Sequence, residues 1–171
     1  MHTDTLKDYA LALYGGEGVS AACLTLQERT GLDVNILLFA AWMGAARGRA
    51  LGAEEVAQAQ SLISDWHKEI VRPLRAVRRR LKTGPLPAPS EATGMLRVRL
   101  QALEISAEII ELEELGALGL HLGSQSGTGT PQDMAALGML AVVEAAAGRA
   151  PETEEKDAVE IIARAAAETA L

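Results

Sequence analysis

The sequence predicts an all-α fold: a helical bundle of about five helices with an appended C-terminal helical hairpin. Three observations carry this. Hydrophobic residues make up 49% of the 171 residues, enough for a substantial core. Aromatics are only 3% while alanine and leucine dominate, and that composition favours helix over strand. Apolar residues also recur at i, i+3, i+4 and i+7 along most of the chain, the spacing of one helical face.

A first helix is expected from about Thr5 to Tyr14, with Leu6, Tyr9, Ala10 and Leu13 on one face and Gly15-Gly16 as its stop. A second carries Val19, Ala22, Cys23 and Leu26 and ends at Thr30-Gly31, where glycine suits the left-handed cap. Asp33 can cap the third, with Leu32 and Leu37 spaced for a hydrophobic staple. That helix then reads VNILLFAAWM, apolar on every side, as expected at the centre of a bundle. A fourth runs from Gly52 to about Lys82, with Ile63, Trp66, Ile70, Leu74, Val77 and Leu81 as its apolar stripe. Pro73 should kink it, or mark where two helices meet, because proline lacks an amide and clashes with the preceding turn. TGPLPAPS (83–90) is a turn. A fifth helix spans about Ser90 to Leu118, where Leu96, Leu100, Leu103, Ala107 and Ile110 alternate at spacings of four and three, a seam for another helix.

Composition then changes. Residues 121–130 read as a flexible Gly/Ser/Thr linker. Beyond lie two alanine-rich helices, about 131–147 and 153–170, whose apolar faces read as Met134, Leu137, Ala141 and as Ala158, Ile161, Ile162, Ala165. The expected organisation is a helical core over 1–120, the linker over 121–130, and a separable hairpin over 131–171.

Cys23 is the single cysteine, so an internal disulfide is ruled out, and so is a zinc site built from several thiolates. The N-terminal stretch carries Asp4 and Asp8 and lacks a signal peptide's basic start. The longest apolar run, Ile36–Met43, falls well short of the roughly 20 residues of a membrane span. A cytoplasmic location is expected. Net charge is −7 but unevenly placed. Residues 68–82 hold seven basic groups and one acid, leaving a net −13 on the remainder.

CLTLQERTGLDVNILLFAAW (23–42), WHKEIVRPLRAVRRRLK (66–82) and LQALEISAEIIELEEL (100–115) carry a likeness. With its C-L-x-L-Q stretch followed by D-V-N-x-L-L-F-x-x-W, the chain resembles an uncharacterised bacterial domain-of-unknown-function family over about residues 6–115. The resemblance implies a small helical bacterial protein and no particular activity.

Few residues suggest chemistry. Asp33 and Asn35 sit at a helix start, where backbone amides can meet an anion. Asp33 has a capping task there, whereas Asn35 lacks an obvious structural one. Cys23 lies on an apolar stripe, where a thiol is unreactive. His2, His67 and His121 are not placed by any local motif to serve it as a base. Neither Glu-x-x-His nor His-Glu-x-x-His occurs, so the expectation is no metal and no cofactor. GSQSGTGTP lacks the Gly-Lys-Ser/Thr ending of a phosphate loop. With no nucleophile–base pair to assemble, a non-catalytic role is favoured over an enzyme.

The strongest signal is Lys68, Arg72, Arg75, Arg79 and Lys82, one continuous basic stripe on an amphipathic helix. It predicts a protein partner with an acidic surface, with self-association into a homo-oligomer as a further option. The alternative is a binding module for a phosphate- or carboxylate-bearing ligand. Nucleic acid is disfavoured by the acidic remainder. Glu104, Glu108 and Glu111 form an acidic stripe that could instead neutralise the bases internally.

Overall fold

A computed structural model describes residues 5–125 and 127–171; His2 lies outside them. Within these residues the chain is all-α. Its helices are α1 (Leu6–Tyr14), α2 (Val19–Thr30), α3 (Val34–Ala45), α4 (Ala53–Trp66), α5 (Arg72–Arg80), α6 (Glu91–Leu122), α7 (Pro131–Ala147) and α8 (Thr153–Thr169). A π turn, His67–Val71, joins α4 to α5 in one rod.

The local signals set the first three helices. Asp33 accepts a hydrogen bond from the Asn35 amide at 2.8 Å, satisfying one free donor at the start of α3. Gly31 ends α2 at φ 73°. The faces Leu6, Tyr9, Ala10, Leu13 and Val19, Ala22, Cys23, Leu26 are buried as their spacing predicts. Every residue of α3 from Ile36 to Ala45 is buried, so α3 is the hub.

The rest of the hub's surroundings differ from the sequence reading. Residues 131–171 form the expected pair of helices, and these pack onto α3. Met139, Val142, Val143, Val159 and Ile162 belong to the same hydrophobic cluster as Phe39 and Trp42. α7 crosses α3 so closely that a Cβ on Gly44 would lie 2.3 Å from the Ala135 nitrogen. The inward face of α7 is therefore Ala135, Gly138, Met139, Val142 and Val143, and Leu137 is left exposed. On α8, Ile162 and Ala158 point inward with Val159, Ala163 and Ala166, and Ile161 and Ala165 sit at the margin. The 121–130 segment passes between two stretches of chain that share one core. It is tied down at Gln125, whose amide donates to the Arg47 carbonyl at 3.0 Å.

Pro73 is accommodated without breaking the rod. The Arg72 amide reaches the His67 carbonyl five residues back, which is a π turn, and the helix resumes beyond the missing amide. The extra residue in that turn rotates the inward face. Val71 is buried in place of Ile70, and Trp66, Ile70 and Val77 are partly exposed.

α6 is 32 residues long, so it spans about 48 Å. Its second half packs on the core through Leu112, Leu115 and Leu118. Its first half leaves the body alongside α5. No residue of α5 and none over 91–103 is buried, so these two segments form a projecting arm. The expected seam is covered only at Ala107; Leu96, Leu103 and Ile110 are exposed, and the face that α6 turns to the α4–α5 rod is instead Glu104, Ala107, Glu108 and Glu111. No helix of the described residues is long and apolar enough to cross a membrane.

Candidate functional site

At the base of the arm four elements bring polar groups together, α5 supplying Arg75 and Arg78. α3 contributes Asp33, at its cap, and Asn35, in its first turn. The π turn contributes His67. α6 contributes Glu104, Glu108 and Glu111, spaced by four and three so that all three share one face. Glu104 and Glu111 are buried, 5% and 1% exposed, and burial of a carboxylate is costly unless it is paired and hydrogen-bonded.

The pairing falls into two groups. In the first, Arg75 Nε donates to Glu104 Oε1 at 2.7 Å and Arg75 also binds Glu108, while Arg78 donates to Glu104. Burial pushes the Glu104 carboxyl up, but the hydrogen bonds from Arg78 and Arg75 outweigh it and hold it below the usual range. Burial has the upper hand at Glu108, whose carboxyl is raised.

In the second group His67 Nδ1 lies 3.0 Å from Asp33 Oδ2 and 2.9 Å from Glu111 Oε1. Asn35 Nδ2 donates to the other Glu111 oxygen at 2.7 Å. The bond to Asp33, then that to Glu111, lifts the imidazole to about 9. Beside these groups opens a cavity of about 350 Å³. Its polar end is Asp33, Asn35, His67, Arg75 and Glu108, and its walls include Leu11, Leu38, Ile105, Ile109 and Leu112.

The structure divides the residues that sequence singled out. Asn35 and Arg75 enter the cluster, and Asn35 gains a clear task there: it orients Glu111. Lys68, Arg72, Arg79 and Lys82 are exposed and make no ion pair among the described residues. Glu104 and Glu108 thus absorb Arg75 and Arg78, and Glu111 faces a histidine. His67 is the residue that sequence reasoning passed over. It lies 44 residues from Glu111, and no local motif joins them.

Cys23 is 1% exposed, and burial pushes its thiol up to about 12. Thiol reagents should therefore label the native chain slowly and the denatured chain fast. Labelling of native protein at the denatured rate would show that α2 opens readily.

No curated protein and no solved structure matches the chain. A family model does match it over residues 5–115, from α1 to the Glu111 face of α6, under the description "Protein of unknown function (DUF2390)". That span holds Asp33, Asn35, His67, Arg75, the three glutamates and the whole arm, and the chain belongs to this family.

Proposed function

We propose that this chain is a non-catalytic interaction protein that binds an acidic, amphipathic segment of a partner protein along its arm. One observation carries the reading: charge and exposed apolar surface coincide there. Residues 68–103 hold nine basic groups and two acids, a net +7 within a chain whose remainder is −14. The same arm carries the exposed Lys68, Arg72, Arg79 and Lys82 along its first segment of chain, with Val77 among them, and Met95, Leu96, Val98 and Leu103 on α6, these five apolar residues each 48% exposed or more. Apolar residues gathered on one projection mark an interaction surface, unlike the same number scattered singly. Arginine forks grip carboxylates in two places, and exposed apolar residues on the same arm select a partner that is amphipathic as well as acidic. The acidic body repels nucleic acid. A cytoplasmic location goes with this reading, since a lone thiol suits a reducing compartment.

The test is a titration with a synthetic helical peptide bearing a glutamate face and a leucine face. It should bind the chain, more weakly as salt rises, and the triple variant Arg72→Glu, Arg79→Glu, Lys82→Glu should lose about tenfold or more in affinity while melting like the parent. None of these three cations holds the fold together. A scrambled peptide of equal charge should bind more weakly than the amphipathic one. Equal binding of both peptides, or of inorganic pyrophosphate and anionic vesicles in their place, would overturn the reading. So would self-association that the triple variant abolishes, since the arm would then belong to a second copy.

A further inference from the structure

We infer that Asp33, His67 and Glu111 form a site for one divalent first-row metal ion, of the class served by mixed imidazole and carboxylate donors, with Zn²⁺ as its representative. The three side chains each offer one donor atom, and these atoms all lie within 4.8 Å of one another. The separations from His67 Nδ1, 3.0 Å to Asp33 and 2.9 Å to Glu111, are edges of a coordination polyhedron. An ion about 2.0–2.2 Å from each donor at the tetrahedral angle sets its donors roughly 3.4 Å apart, so a small outward shift of the side chains seats it.

Both carboxylates are oriented for this. Asp33 has one oxygen committed to the Asn35 amide, and Glu111 has one committed to the Asn35 side chain. In each the remaining oxygen faces His67. One residue thus holds both ligands from behind, the outer-shell arrangement that fixes ligand geometry at metal centres. A single hydrogen on Nδ1 must be divided between two oxygens that are equally near, which weakens each bond. A metal ion engages both, and on binding it displaces that hydrogen to solvent as a proton.

Charge points the same way. Asp33, Glu104, Glu108 and Glu111 face His67, Arg75 and Arg78 in hydrogen-bonding contact, so four carboxylates meet at most three cations. Arg72 lines the adjoining cleft but makes no ion pair with them. A dipositive ion on a neutral imidazole closes the deficit. His67 also opens the π turn, a backbone feature frequent at functional sites. With three protein ligands and the cavity beside them, further coordination positions are left for water or a ligand. One nitrogen with two carboxylate oxygens favours Zn²⁺ or Mn²⁺ over Ca²⁺ and Mg²⁺, which prefer all-oxygen shells.

The test uses the full chain, stripped with chelator and titrated with Zn²⁺ alone. One equivalent should bind and raise the melting temperature. Glu111→Gln and His67→Gln should each weaken binding about tenfold or more, whereas His121→Ala should leave it unchanged. Should a variant fail to fold, Mn²⁺ line broadening in the parent's NMR spectrum answers the same question. Broadening centred on residues 33, 67 and 111 supports the site. Broadening centred elsewhere, no stoichiometric binding, or binding that survives both substitutions overturns it.

Discussion

A chain that stops at Leu120 is expected to lose its cooperative fold. The cut removes α7 and α8 and uncovers the Gly44 side of α3. It also removes the Ala166 carbonyl, which accepts from the buried Tyr9 hydroxyl at 2.8 Å and so ties α1 to α8. The burial of Met139, Val142, Val143, Val159 and Ile162 is lost with those helices. At about 1.5–3 kcal/mol each, their loss is comparable to the roughly 5–15 kcal/mol by which a typical domain is stable. The shortened chain should be insoluble or molten, with helical circular dichroism but no sharp melt. A cooperative melt within a few degrees of the parent would instead show that residues 131–171 are separable.

Glu155→Ala is expected to cost about 3 kcal/mol, the low end for breaking a buried ion pair, because the arginines left behind reach solvent. The Glu155 side chain is fully buried at the start of α8. It accepts from Arg149 at 2.7 and 2.9 Å, from Arg29 of α2 at 3.3 Å and from the Glu152 amide at 2.8 Å. One carboxylate thus caps α8, closes the α7–α8 turn and joins both to α2. Arg149 first, then the Glu152 amide, hold it at about 2, below its ordinary 4.5. Because the folded value is the lower one, the stabilisation is complete above about pH 4.5 and is lost as pH falls toward 2. Melts of the parent and of Glu155→Gln should therefore differ most near neutrality and converge in acid. A constant gap across that range would show that the carboxylate's charge contributes nothing.

Where structure follows local chemistry, the sequence was readable. The faces of α1 and α2, the Asp33 cap and the buried run of α3 depend on neighbours within a turn or two. The α7 face was misread because hydrophobicity patterns weight Leu137 and Met134 above Ala135 and Gly138, yet the small residues are what allow α7 to lie against α3. The change of composition at 121 marks the start of the alanine-rich helices, and composition does not reveal how closely such helices approach α3. The disturbance at Pro73 was legible, but its form was not, because a π turn leaves no composition signal. At the site, Asn35 and the acidic stripe were visible, and so was the option of internal neutralisation. The meeting of Asp33, His67 and Glu111 was not, since it depends on how the α4–α5 rod crosses α6.

The hydroxyl bond between Tyr9 and Ala166 spans 157 positions, and this has a consequence for synthesis on the ribosome. At roughly 5–20 residues per second, α3 emerges on the order of 5–20 s before the helices that cover it. Through that interval its apolar run has no native partner and must be shielded by other means. A message cut short anywhere before α8 yields a product that is sticky and readily degraded, so only a ribosome that has passed residue 166 releases a chain able to close its own core.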